Sequence, residues 1–226
     1  MGKKESIEDT AKVLGRMYDG IEYRGFEQEI VESLAKNAGV PVWNGLTDDY
    51  HPTLIIADLI IIQVYKGNLE GIKFAYVGDG NNMTHSLMIG CAKVGMDVTV
   101  ACPDGYMPNP EIVALAQGYA AESGGSVTVM HDPKEAVKGV DVVYTDTWAS
   151  MGQEAEKEIR KKAFAGYQVD DAMMALAKPD AIFMHCLPAY RGMEVTDEVI
   201  ESPQSVVFDE AENRLHAHKA IMASVM

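Results

Sequence analysis

Residues 71–103 read GIKFAYVGDGNNMTHSLMIGCAKVGMDVTVACP. An apolar run of strand length, FAYV, stops at a Gly-Asp-Gly turn. A helical pattern follows from Met83 to Gly95, and a second apolar run closes the unit. A strand, a crossover helix and a second strand place the two strands parallel in one sheet. The same alternation continues downstream. NPEIVALAQGYAAESGG reads as a helix, SVTVMHD as a strand, DPKEAVKGV as a short helix and DVVYTDTW as a strand. QEAEKEIRKKAFAGYQVDDAMMALA is helical, AIFMHCLP a strand, EVTDEVIES a helix, SVVFDEAE a strand, and NRLHAHKAIMASVM a terminal helix. The strands are apolar at nearly every position, as burial on both faces requires. The prediction is an α/β fold with a doubly wound, Rossmann-like parallel sheet.

Upstream of residue 71 the pattern is less regular. Ser6 caps a helix predicted over Ile7–Met17, and YDGIEYRG reads as a short strand and turn. EQEIVESLAKNAG is a helix stopped at Gly39, and VPVWNGL a strand ending in an Asn-Gly turn. HPTLIIADLIIIQVYKG is a long apolar helix with Pro52 in its first turn. Regular alternation begins between Lys66 and Gly71. The expected division is therefore 1–68, 69–205, and a C-terminal strand and helix over 206–226 that pack back towards the first part.

The chain has 226 residues, 47% hydrophobic and 23% charged, with a net charge of -15. Such a charge disfavours nucleic acid and anionic membrane as partners. Three cysteines without CxxC spacing predict reduced thiols and a cytoplasmic protein. No apolar run is long enough to span a bilayer.

Ligands of wound sheets bind beyond the carboxyl ends of the strands. Four polar groups of residues follow strands here: Asp79 to Asn82, then Asp146 to Gly152, then His185 to Pro188, then Asp209 to Arg214. Together they predict one crevice. The turn at Gly78 is not a dinucleotide loop, because Met83 stands where GxGxxG needs its third glycine and no acid ends the next strand. Asp146 reads either as a turn acid or, with Ser150, as a clamp for an ammonium group. Cys186 reads either as a small core residue or as a functional thiol. A metal site is not expected, since adjacent strand residues His185 and Cys186 face opposite sides. The same geometry argues against a Cys–His nucleophile unless His51 or His85 is the partner.

The motifs DTWASMGQE, HCLPAYRG, DEAENRLH, GDGNNMTHS and NGLTDDYHPT together resemble the ornithine carbamoyltransferases over nearly the whole chain. The resemblance implies transfer of a carbamoyl group from carbamoyl phosphate to the δ-amine of ornithine, giving citrulline and phosphate, with no cofactor. It implies that Asn82, Asp146, Ser150 and Met151 hold the head of ornithine, while Cys186 and Leu187 line the δ-amine. Arg24, His51 and Arg214 are implied at carbamoyl phosphate, with Cys186, Asp146, Arg214 and His51 the catalytic set. It also implies a homotrimer. Two departures concern the carbamoyl-phosphate half, which is expected to be incomplete. The family carries an initial segment with a phosphate-binding STRT-type loop, and this chain starts after it. Leu54 stands where the family has a glutamine for the carbamoyl amide. The alternatives are a protein that binds ornithine or another amino acid without catalysis, and a carbamoyltransferase for a different amine or donor.

Overall fold

The computed structural model describes residues 4–149 and 154–226. The first part of the chain forms α1 (Ile7–Leu14), β1 (Ile21–Arg24), α2 (Gln28–Asn37), β2 (Val42–Leu46) and α3 (Pro52–Lys66). Ser6 caps α1, its hydroxyl accepting from the Asp9 N–H at 3.1 Å. β1 and β2 pair in parallel as a two-stranded sheet. Leu34 and Ala11, both fully buried, pack α1 and α2 together with Tyr23 and Val31 in a small core of their own. The predicted Asn-Gly turn is absent. Asn44 and Gly45 lie inside β2, and the Asn44 amide donates to Gln28 and Thr47 side chains. The sequence signal for a turn gives way to side-chain hydrogen bonds that keep the strand extended. α3 is apolar on most sides because it packs against α10, α4 and β2 at once. Its Ile56 and Val64 nevertheless stay exposed.

The second part supplies β3 (Lys73–Val77), α4 (Asn82–Lys93), β4 (Asp97–Ala101), α5 (Pro110–Ser123), β5 (Ser126–Met130), α6 (Pro133–Ala136) and β6 (Val142–Thr145). After these come α7 (Lys157–Ala163), α8 (Asp171–Met174), β7 (Ile182–His185), α9 (Asp197–Ile200) and α10 (Val207–Val225). The five strands are parallel in the order β5-β4-β3-β6-β7. Successive residues feed opposite faces, as the pleat requires. Phe74, Tyr76, Val98, Tyr144 and Met184 pack under α3, α4 and α5. Ala75, Val77, Val143 and Phe183 pack on the other side with Trp148, Phe164 and Met173. Burial on both faces is why these runs are apolar throughout. The winding reverses between β3 and β6, so the crevice opens there.

Two expectations fail downstream of β6. The helix predicted over residues 153–177 is broken into a 3-10 turn (Glu154–Glu156), α7 and α8, with Gly166 between the last two at φ 93° and Asp170 capping α8. SVVFDEAE is not a strand. Only Ser205 makes a bridge, to Phe183, and α10 begins at Val207. A run of three apolar residues cannot separate a strand from a helix start by periodicity. Here Val207 is fully buried and Phe208 is 61% exposed, a helical pattern of burial. Among the described residues no helix is long and apolar enough to cross a membrane.

Candidate active site

Five strand ends and three helices build one crevice. β3 ends at Val77, and the turn after it brings Gly80 against the Met107–Pro108 backbone. A Cβ at Gly80 would lie 2.2 Å from Pro108 N, so only glycine fits. The second glycine of GDG therefore serves packing. Asn81 then caps α4, its Oδ1 accepting from the N–H groups of Met83 at 3.0 Å and Thr84 at 3.3 Å. Its amide donates to Asp146 Oδ2 at 3.2 Å. Asn82 donates to the Thr47 carbonyl at 2.8 Å and so ties the start of α4 to the first part of the chain.

β6 delivers Asp146, 6% exposed. Its Oδ1 accepts from the Thr147 N–H at 2.7 Å and from the Cys186 thiol at 3.0 Å. Burial pushes the Cys186 thiol well above its ordinary value, and the Asp146 charge pushes it further. The sulfur is therefore S–H, a donor to the carboxylate and not a thiolate nucleophile. His51 and His85 do not rescue that reading. His85 is held by the Asp49 carbonyl and the Asn109 N–H. Burial, reinforced by Arg24 and Arg214, lowers His51 to about 3, so it is a neutral imidazole with its Nδ1 buried and unpartnered.

β7 ends at His185, and the chain then turns sharply. Leu187 takes φ 50°, and the Leu187–Pro188 peptide is cis. This positive φ departs from the extended geometry that a following proline ordinarily favours. The turn is held from within. The Leu187 N–H donates to His185 Nδ1 at 2.8 Å, which leaves the hydrogen on Nε2 to face Glu194 Oε1 at 3.1 Å. Glu194 Oε1 also accepts from the Tyr190 N–H. Asp146, His185 and Cys186 bring their donor atoms within 4.8 Å of one another. The argument that adjacent strand residues must diverge thus fails at this position, because the strand has ended. All three side chains are nonetheless hydrogen-bonded to protein partners.

Arg24, His51, Leu54, Asn81, Asn82, Asp146, Cys186, Leu187 and Arg214 line a single cleft of about 420 Å³. Every described residue predicted for the site is thus brought together; Ser150 and Met151 lie outside the described residues. The clusters after β3, β6 and β7 meet as expected, while the fourth comes from α10. Asn81 belongs to the cluster predicted after the strand but carried no assigned role there; its place four residues after a strand marks it as an N-cap. Among the described residues neither Arg24 nor Arg214 is in ion-pair contact with an acid; Arg214 donates to the Cys186 carbonyl at 3.2 Å.

The segment leading out of β6 is anchored by Arg160. Its Nη1 donates to Asp79 at 2.6 Å and to the Trp148 carbonyl at 3.0 Å, and its Nε donates to Glu156 at 2.9 Å. Burial raises Asp79 despite the facing guanidinium, so the pair is held in a poorly solvated place. Arg160→Met is expected to cost about 3–5 kcal/mol, because it strands a buried carboxylate. Urea unfolding measures this.

A wound α/β sheet whose crevice is lined by a thiol–carboxylate pair and by two guanidiniums without an ion-pair partner among the described residues defines a class of pocket with charge of both signs. Sequence comparison gives this class its family. The profile for the Asp/Orn binding domain of aspartate/ornithine carbamoyltransferases matches residues 70–225, and that for the carbamoyl-P binding domain matches residues 1–64. The chain belongs to the aspartate/ornithine carbamoyltransferase family. It is 60% identical over 225 residues to the ornithine carbamoyltransferase of Caldicellulosiruptor saccharolyticus, covering 100% of this chain and 73% of that protein. It is 59% identical to the Thermococcus kodakarensis enzyme of the same name, covering 98% of this chain and 70% of that one. The ornithine carbamoyltransferase structure from Pyrococcus furiosus superposes with a TM-score of 0.96 at 56% identity, over 100% of this chain and 72% of that one.

Proposed function

We propose that this chain transfers the carbamoyl group of carbamoyl phosphate to the δ-amine of ornithine, releasing citrulline and phosphate. One observation carries the reading: the Cys186–Asp146 pair shares one cleft of about 420 Å³ with Arg24, His51 and Arg214. That volume lies within the range that encloses small ligands. The amine attacks as the neutral base. Asp146 and the Cys186 thiol orient it, with its lone pair towards the carbamoyl carbon. A C–N bond forms, the bond to the phosphate oxygen breaks, and the amine's proton passes to the departing phosphate. Negative charge gathers on the carbamoyl oxygen in between, where Arg214 and neutral His51 act as donors. Arg24 holds the phosphate side. Asn82, Ser150 and Met151 hold the amino-acid head, and Leu187 lines the δ-amine. In this reading residues 1–68 are the carbamoyl-phosphate half and 69–205 the ornithine half, in a cytoplasmic homotrimer without cofactor.

Leu54 favours a second reading. It lines the cleft, 2% exposed, and offers the carbamoyl amide no hydrogen bond. Ornithine binding without transfer would follow from that loss. Calorimetry with ornithine, then a citrulline assay with both substrates, separates the two. Heat of binding followed by citrulline supports transfer; heat without citrulline supports the second reading; neither removes both.

A further inference from the structure

A buried pair of acids behind the crevice takes no part in the chemistry above. Asp58 on α3 is 0% exposed and Glu210 on α10 is 1% exposed. The Tyr144 hydroxyl, on β6, lies 3.1 Å from Asp58 Oδ2 and 3.1 Å from Glu210 Oε1. The two carboxyls thus meet at one hydroxyl. Glu210 Oε2 accepts from the backbone N–H of His185 at 3.0 Å, while Asp58 Oδ1 has no hydrogen-bond partner among the described residues.

The hydrogens do not suffice for two carboxylates. Tyr144 has one hydroxyl hydrogen, so it serves one acid at a time. Arg214 lies on the same helix as Glu210 but donates to the carbonyls of Ala211 and Cys186. Two adjacent charges buried this deeply are costly, and a shared proton removes the cost. Burial pushes both acids up, and the charge of Glu210 pushes Asp58 further. For Glu210 the His185 N–H and the Tyr144 hydroxyl pull back, leaving it at about 7. The other groups around the pair keep their protons: burial raises the Tyr144 hydroxyl and the Cys91 thiol of α4.

The pair sits where three elements meet. Glu210 and Arg214 are one helical turn apart on α10. They grip neighbouring peptide groups of one turn: Glu210 takes the N–H of His185, and Arg214 reaches the carbonyl of Cys186. Asp58 adds α3, the helix that begins next to His51.

We propose that Asp58 and Glu210 are positioning residues that hold one proton between them, and that the protonated pair locks α3 and α10 onto the end of β7 so that the Cys186 thiol stays on Asp146. The use of that thiol rests on the carbamoyl-transfer reading; the pair itself is a property of the unliganded protein. The sign of the pH effect follows from the raised acid. The unfolded chain releases the Glu210 proton near 4.5 and the folded protein near 7. Stability from the proton is complete below about 4.5 and is lost as pH rises to about 7.

The test uses the unliganded full chain. Near pH 6 ordinary carboxyl groups are ionised, and infrared spectra are expected to show a protonated carboxylic acid band that the Asp58→Asn/Glu210→Gln double variant loses. The melting temperature of the wild type minus that of the double variant is expected to fall as pH rises from about 4.5 to about 7. Cys91 and Cys102 are fully buried, so alkylation reads Cys186. Glu210→Ala is expected to speed it about tenfold, since it strands the His185 N–H, while the double variant, which keeps an acceptor there, stays within about twofold. No band difference, a flat melting difference, or a double variant that alkylates like Glu210→Ala overturns the proposal. If the alanine variant does not fold, the spectra and the melting difference decide. A protein that keeps the band but makes no citrulline overturns the functional reading alone.

Discussion

Asp146→Asn is expected to weaken ornithine binding about 10- to 150-fold and to cut turnover by about 10²–10⁴. Among the described residues three donors hold the carboxylate: the Thr147 N–H, the Asn81 amide and the Cys186 thiol. The asparagine keeps the shape but loses the charge, and its own N–H₂ must point at one of those donors. A cationic amine then loses a charge-assisted bond, worth about 1.5–3 kcal/mol. Turnover suffers further because the thiol is no longer fixed. Calorimetry gives the binding loss and citrulline formation the rate loss. Wild-type affinity in this variant would remove Asp146 from the amine site. Cys186→Ala serves as the companion: it is expected to keep most of the affinity, since the carboxylate stays, and to lose rate.

Arg214→Met is expected to lower kcat by about 10²–10³ with little change in ornithine affinity, the cost of removing one donor to a developing oxyanion. Arg214 lines the cleft with no acid in ion-pair contact, which leaves its charge available to a ligand. Its second bond, to the Cys186 carbonyl, also steadies the turn. Arg214→Lys separates the two roles. It restores the charge but not the fork of donors, so an intermediate rate is expected. Equal losses in Lys and Met variants would indicate that geometry matters more than charge. A loss confined to ornithine KM would contradict the assignment.

Much of this was readable before any coordinates. The runs FAYV, VVY and AIFM are apolar at consecutive positions, and only a strand covered on both faces calls for that in three or four residues. Asp146 and Cys186 follow two of those runs, so the rule that ligands bind beyond strand ends placed them together. SVVF escaped the same logic. Its apolar run is equally short, but it begins a helix because Val207 meets the core and Phe208 does not. Asn44-Gly45 escaped it too, since the side-chain bonds that suppress the turn come from Gln28 and Thr47. The positive φ of Leu187 depends on His185 and Glu194 holding the turn, and no local pattern encodes that.

Local order was written in the chain: which segments are strands, which are helices, and which polar side chains stand at their ends. Those properties depend on neighbours a few residues away. Protonation was decided only by the fold. Tyr144 touches Asp58 from 86 positions away and Glu210 from 66, and Cys186 meets Asp146 from 40. A carboxyl or a thiol keeps its proton when water is excluded and another charge is close, and both conditions arise only once distant segments have packed.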